Sequence, residues 1–294
     1  MPDICEEYGG YVTAQALGRG GSATVYLAVR PGPDRSPVAL KVLHPEHRDA
    51  THVARLAREF EFAARFHHPH IIEVYAHGPH WLAMRYVDGG NINSLGTVTD
   101  RMAAMVQIAQ ALDAVHRQGI VHCDVKPTNI LVHQDFSARG AVLIDFGVAH
   151  SLAHDMAERL SHDPAQRFSL DPARRITHQR VDQHMQLEAS LPYVAPELLL
   201  SRMPTGASDQ YGLACTAVEL LTGSPPFPAG SPAALIDAHL HQPPPRASER
   251  GDRLAHAVDA VLARAMAKDP DRRYDSCTEF IGQLSRTVQH GRTG

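Results

Sequence analysis

Between Tyr11 and Leu43 the apolar positions fall in short runs broken by turn residues, which is how strands read. YVTAQAL leads into a glycine-rich turn at Gly18–Gly21, and TVYLAV follows with β-branched and aromatic residues. The turn-rich RPGPDRSP separates this from VALKVL, a third strand. At 52–66 the spacing becomes helical: Val53, Leu56, Phe60 and Ala63 share one face, with Arg58, Glu61 and Arg65 opposite. Two further strands, IIEVYAH and WLAMRYV, precede the loop DGGN at 88–91. That loop divides a small β-rich lobe, 8–87, from a larger one, 88–286, with 287–294 left as a tail.

The second lobe reads as mainly helical. Residues 101–117 place Met105, Ile108, Leu112 and Val115 on one face, and Gly119 stops the helix. Residues 209–222 are apolar nearly all round, the mark of a buried central helix, and Gly223 with Pro225–Pro226 ends it. A further helix is expected over 255–267. Residues 148–194 differ in being polar and histidine-rich. They hold a near-repeat, SHDPAQR from Ser161 and SLDPARR from Ser169, in which Asp before Pro suits the start of a short helix.

Composition narrows the class without naming it. The 294 residues are 44% hydrophobic and 20% charged, ordinary for a globular chain and incompatible with wholesale disorder. A net charge of -4 argues against a nucleic-acid binder, which needs clustered cations. No apolar run approaches a membrane span and no secretory leader opens the sequence, so a cytoplasmic protein is expected. The four cysteines form no Cys-x-x-Cys pair, which suits a reducing setting. His67-His68-Pro69-His70 resembles a metal tract but reads better as structural histidine in a turn. Lysine is scarce: Lys41, Lys126 and Lys268 are the only three among 28 cations.

That scarcity directs attention to where the amines sit. Lys41 lies inside VALKVL, where an ammonium needs an anionic partner. Glu59 lies on the apolar side of its helix, between Ala63 and Phe66 on the wheel, so the two are expected to meet as an ion pair. IVHCDVKPTNILV at 120–132 supplies His122, Asp124, Lys126 and Asn129 in a polar loop with apolar flanks. Asp124 can take a proton from a hydroxyl, Lys126 can meet a phosphoryl group and Asn129 can ligate a cation; a hydrogen-bonded turn between strands would use the same residues. AVLIDFGVA at 141–149 puts Asp145 at the end of an apolar strand, a position suited to Mg²⁺ on phosphates. The glycine turn at Gly18–Gly21 lets backbone approach a phosphate, a weak signal by itself.

Taken in order, Gly18–Val25, VALK ending at Lys41, HCDVKPTN, Asp145-Phe146-Gly147 and Ala195-Pro196-Glu197 resemble the motif set of the protein kinases. The chain resembles the eukaryotic-like (Hanks-type) serine/threonine protein kinases of bacteria over roughly residues 8–285. The resemblance implies an α+β, bilobal protein-kinase fold that uses ATP and Mg²⁺ to phosphorylate Ser and Thr hydroxyls of proteins, itself included. It implies that Lys41, paired with Glu59, holds the α- and β-phosphates and that Asp124 accepts the hydroxyl proton. Lys126 would neutralise the γ-phosphoryl, and Asn129 and Asp145 would hold the metal. Gly18, Gly20 and Gly21 would cover the phosphates. Leu17, Val25, Ala39 and Leu131 would enclose adenine beside the backbone of Arg85, Tyr86 and Val87, with Met84 behind them. Ser190 would bridge Asp124 and Lys126, Glu197 would pair with Arg273, and Asp209 would anchor the catalytic loop.

Two departures stand out. Ala23 replaces the third glycine of the loop, and Cys123 replaces the arginine of His-Arg-Asp. That arginine grips a phosphorylated activation-segment residue in the family, which a neutral thiol cannot do, so control through this contact is not expected unless Arg174 or Arg175 substitutes. The stretch from Asp145 to Glu197 is longer than usual for the family. The competing functions are a binding module on a kinase fold and a small-molecule phosphotransferase. Lys41, Glu59, Asp124, Asn129 and Asp145 argue against the first; Lys126, Ser190 and Ala-Pro-Glu argue against the second.

Overall fold

The computed structural model describes residues 6–30, 36–147, 149–151, 190–228, 230–250 and 256–290. The near-repeat with Ser161 and Ser169, and Arg174 and Arg175, lie outside the described residues. The chain forms two compact units, one from Met1–Gly90 and Leu131–Val148, the other from Asn91–Ile130 and Ala149–Gly294. Residues 131–148 belong to the first unit, where backbone at 70–72 bonds them (Leu143 N to His70 O 2.9 Å, Ile72 N to Leu143 O 2.9 Å).

The first unit is built on a six-stranded sheet of order β1-β2-β3-β4-β6-β5. Its strands are β1 (Glu7–Tyr8), β2 (Tyr11–Arg19), β3 (Ala23–Val29), β4 (Pro37–Leu43), β5 (Val74–Gly78) and β6 (Trp81–Arg85). All neighbouring pairs are antiparallel. Strand alternation sorts the side chains of β4. Val38, Leu40 and Val42 point into a core with Tyr11, Ala28 and Ala83, where each large apolar side chain contributes about 1.5–3 kcal/mol. Ala39 and Lys41 point the other way. Trp81 closes the cluster against Tyr11 (ring centroids 5.6 Å apart). It also explains Gly9, where φ is +57° and a Cβ would come within 2.2 Å of the indole.

Helix α1 covers Ala50–Ala63 rather than 52–66, because the Asp49 carboxylate accepts from the backbone N–H groups of Thr51 and His52 and starts it earlier. Its buried face is Leu56, Glu59, Phe62 and Ala63. Phe62 therefore replaces Phe60 on that face; Phe60 lies against the His77 ring, 4.4 Å away.

The second unit is mainly helical. Helix α2 (Val98–His116) starts three residues before the sequence pattern suggested, where the Thr97 hydroxyl caps Asp100 N, and it stops before Gly119 at φ +70°. The loop that follows runs from β7 (Ile120–Val121), which pairs with β10 (His150–Ser151), to β8 (Ile130–Val132), where the chain returns to the first unit; there β8 pairs with β9 (Ala141–Leu143), reached through the short α3 (Phe136–Arg139). Short α4 (Pro196–Leu199) precedes α5 (Gly206–Thr222), which is buried nearly all round, as its composition required, and ends at Gly223 with φ +79°. Then come α6 (Pro232–His241), α7 (Ala257–Ala265) and α8 (Cys277–His290). The last helix buries Phe280, Ile281, Leu284 and Val288, so ordered structure continues beyond 287, where a tail was expected to start. Among the described residues no helix is long and apolar enough to cross a membrane.

Candidate active site

In the first unit the register of β3, β4 and β6 sets the candidate nucleotide face. Val25 pairs with Lys41, Lys41 with Leu82, and Ala39 with Met84, so Val25, Ala39, Lys41 and Met84 share one side of the sheet. Ala39, Met84 and Val87 are buried, Arg85, Tyr86 and Leu131 half-buried, and Leu17 is 41% exposed, which leaves apolar surface for a ligand. Gly20 N donates to Ala23 O at the β2–β3 turn (2.8 Å), and no heavy atom lies within 4 Å of where a Cβ on Gly18 would sit. One residue holding this turn escaped the sequence reading. The Nδ1 of His44 donates to the Gly21 carbonyl (3.2 Å) and its Nε2 accepts from the Thr24 hydroxyl (2.9 Å). The contact spans more than twenty residues, so no local signal announces it.

The Lys41 ammonium meets Glu59 Oε2 at 2.7 Å and lies 3.6 Å from Asp145 Oδ1. Burial pulls its pKa down, but the carboxylates of Asp145 and Glu59 outweigh that and hold it above the ordinary lysine value. Asp145 has φ +64°, unusual for a residue with a side chain, and its Oδ1 accepts from Gly147 N at 3.2 Å. A Cβ at Gly147 would come within 3.0 Å of Arg55 and 3.1 Å of the Asp145 carboxylate, so the backbone turn admits little else. Phe146 is fully buried and stacks on Phe66, ring centroids 6.0 Å apart.

In the second unit the loop between β7 and β8 gathers the other predicted residues. Lys126 Nζ donates to Asp124 Oδ2 (2.8 Å) and to Ser190 Oγ (2.7 Å). Asn129 Nδ2 donates to Asp124 Oδ2 (2.9 Å) and to its backbone carbonyl (2.8 Å). Both side-chain donors thus fall on Oδ2, and Oδ1 keeps its acceptor capacity for an incoming hydroxyl. The loop hangs from Asp209 in the first turns of α5, whose carboxylate accepts from His122 N (2.8 Å), Cys123 N (2.7 Å) and His116 Nε2 (2.6 Å). Burial works against that charge, but the bonds from His116 and His122 hold the carboxyl below its usual range. Cys123 has φ +66°, and its thiol donates to Val121 O at 3.7 Å.

Behind the loop, Arg273 forks onto Glu197 with two bonds of 2.8 Å, both side chains at 3% exposure or less. Ser208 Oγ adds a bond to Glu197 Oε1 (2.7 Å), and Arg273 also donates to the carbonyls of Ala207 and Ala267. Each unit therefore collects its share of the predicted residues: Lys41, Glu59 and Asp145 in the first, Asp124, Lys126, Asn129 and Ser190 in the second. His116 was not foreseen, since its partner Asp209 lies 93 residues on.

A curled antiparallel sheet with one helix, followed by a helical unit that displays an Asp-Lys-Asn loop, defines a phosphotransferase scaffold. The chain matches the protein kinase domain family over residues 11–284 and belongs to that family. It is 39% identical to the serine/threonine-protein kinase PknJ of Mycobacterium tuberculosis, over 97% of this chain and 46% of that protein. It is 36% identical to the serine/threonine-protein kinase PknF of the same species, over 96% of this chain and 57% of that one. The chain thus spans about half the length of these relatives. The crystal structure of the Mycobacterium tuberculosis PknI kinase domain, a cysteine-to-alanine mutant, superposes with a TM-score of 0.67 at 30% identity. That match covers 96% of this chain and 97% of the other, and the fold is the protein-kinase fold.

Proposed function

We propose that the chain transfers the γ-phosphoryl group of ATP to Ser and Thr hydroxyls of proteins, including its own. The observation that carries this reading is the Asp124 carboxylate, fixed through Oδ2 by Lys126 and Asn129, with Lys126 reaching on to Ser190. Lys41, oriented by Glu59, binds the α- and β-phosphates as a point charge, and Lys126 offsets charge on the transferred group. Asp124 takes the hydroxyl proton through Oδ1. Asn129 spends its amide N–H on Asp124 and so offers its side-chain oxygen, as Asp145 offers a carboxylate; oxygen donors of this kind suit Mg²⁺. Bound there, the ion would neutralise phosphate charge. Val25, Ala39, Met84 and Leu131 supply the apolar lining for adenine.

Incubating the protein with labelled ATP, Mg²⁺ and a generic basic substrate tests the reading, with Lys41→Met and Asp145→Asn alongside. Label on Ser or Thr is expected in the parent and lost at least about a hundredfold in both variants. Label that survives in both would refute the assignment.

Cys123 in place of arginine removes the cation that would grip a phosphorylated segment. We therefore expect activity that does not wait on such a phosphate. Ser161→Ala with Ser169→Ala, both outside the described residues, should leave the initial rate within about twofold of the parent. A fall of tenfold or more would restore phosphorylation control.

A further inference from the structure

A cavity of about 560 Å³ opens in the second unit between the end of α2, the start of α5 and the start of α8. Asp113, His116, Gly206, Gln210, Tyr274 and Cys277 line it. Three of these are metal-ligand types: an Asp113 carboxylate oxygen, a His116 ring nitrogen and Cys277 Sγ lie within 4.8 Å of one another. The phosphotransfer chemistry proposed above uses none of the three.

Their arrangement has a further feature. His116 Nε2 is 2.6 Å from Asp209 Oδ2, and a carboxylate oxygen can only accept, so Nε2 carries the proton. The other ring nitrogen, Nδ1, faces Asp113 Oδ1 at 3.9 Å, beside the Cys277 thiol. A carboxylate on the far nitrogen is the usual support of a metal-binding histidine, fixing the tautomer and raising ligand basicity. Asp113 also caps α8, its two oxygens accepting from Cys277 N (2.9 Å) and Thr278 N (3.0 Å). The buried Cys277 thiol hydrogen-bonds the Asp113 side chain as well, so carboxylate and thiol already meet, and a bound ion would stand where they share that proton. Gly206 packs on the imidazole, where a Cβ would come within 2.8 Å of Nδ1, so only glycine leaves the ring where it is.

We propose that Asp113, His116 and Cys277 bind one borderline-soft divalent cation of the zinc type, tying the end of α2 to the start of α8. One thiolate, one imidazole and one carboxylate are a donor set that suits Zn²⁺ and not Mg²⁺. Tetrahedral coordination asks for ligand–ligand separations of roughly 3.3–3.7 Å, a tightening of up to about 1.5 Å. The ion's own charge expels the thiol proton to solvent. Its fourth position faces the cavity and takes water. A second cluster, His44, Glu46 and His47, is less suited, because both nitrogens of His44 are already hydrogen-bonded.

The test uses the whole chain, stripped with chelator and titrated with Co²⁺, whose thiolate charge-transfer absorption reports a Co–S bond. One equivalent is expected to develop that band, Zn²⁺ to displace it, and a hundredfold excess of Mg²⁺ to leave it. Cys277→Ser should abolish the band, and Asp113→Asn, which keeps an oxygen for the helix cap, should weaken Zn²⁺ binding at least tenfold. Zn²⁺ should raise the melting temperature of the parent by a few degrees, of Asp113→Asn by less, and of Cys277→Ser not at all. Circular dichroism checks that both variants fold; if Cys277→Ser does not, Asp113→Asn decides. The proposal is overturned if the parent gives no thiolate band, if the band persists in folded Cys277→Ser, or if Asp113→Asn binds Zn²⁺ as tightly as the parent. An imidazolium–carboxylate contact between His116 and Asp113 would then account for the geometry without an ion.

Discussion

Asp124→Asn is expected to lower the rate of phosphoryl transfer by about 10²–10⁴-fold while leaving ATP affinity almost unchanged. The size of the loss follows from which atoms the neighbours occupy. Lys126 and Asn129 both donate to Oδ2, so an asparagine must turn its one oxygen to that side to keep either bond. Its amide nitrogen then replaces Oδ1. A donor stands where an acceptor is needed, and the substrate hydroxyl can neither be oriented nor lose its proton there. ATP affinity should survive because the phosphate-binding charge sits on Lys41. Single-turnover transfer and calorimetric ATP binding, measured on the same preparation, separate the two effects. A rate within about threefold of the parent would remove Asp124 from the proton path.

Arg273→Met is expected to cost about 3–5 kcal/mol of stability, because it leaves the Glu197 carboxylate buried without its partner. Glu197→Gln should cost less, since Ser208 and the guanidinium can still bond a neutral amide. The pH dependence gives a sharper contrast. Burial of Glu197 pushes its pKa up, but the bonds and charge of Arg273 outweigh burial and hold it below the ordinary glutamate value. A depressed folded-state value means stability that is complete above the unfolded-state pKa, near 4.5, and is lost as pH falls through the folded value. Without Arg273 only the Ser208 and backbone bonds still oppose burial, so the folded value rises from its depressed position. The stability this group gains with rising pH then shrinks. Denaturant midpoints between pH 3 and pH 7 should therefore climb with pH for the parent, and Arg273→Met should fall further behind it at each step. Parallel curves would show that the pair does not govern the acid response.

Much of this was visible in the residues. Lys41 and Glu59 announced their pairing because a charge on each of two apolar faces has few other outcomes. The all-round apolar pattern of α5 gave its burial, and Gly119 and Gly223 marked helix ends where φ is positive. The misses share a cause. Periodicity locates a helix but not its cap, so Asp49 and Thr97 moved two helix starts that the apolar spacing had set later. Phe60 and Phe62 lie about 200° apart on a wheel, on nearly opposite faces, and with a phenylalanine on each the spacing does not settle which one turns inward. The stripe Phe280, Ile281, Leu284 and Val288 has helical spacing, and its last residue lies beyond 287, inside the stretch expected as a tail. His44 and His116 were beyond reach, because each acts through a partner distant in sequence. The motif resemblance supplied what local physics did not: Ser190 with Lys126, Glu197 with Arg273, and Asp209 beneath the loop.

The first unit is made from two pieces of chain, Met1–Gly90 and Leu131–Val148, with forty residues of its neighbour threaded between them. A ribosome delivers these pieces in order, so the sheet emerges well before the segment that completes its unit. Until residue 148 clears the exit tunnel, Ile71 and Ile72 have no β9 to bond, and Phe66 has no Phe146 to stack on. The nascent unit must wait with the backbone at 70–72 unpaired, a state in which open polar groups and apolar side chains invite chaperones or aggregation. Synthesis rate between residues 90 and 148 therefore sets how long the exposure lasts.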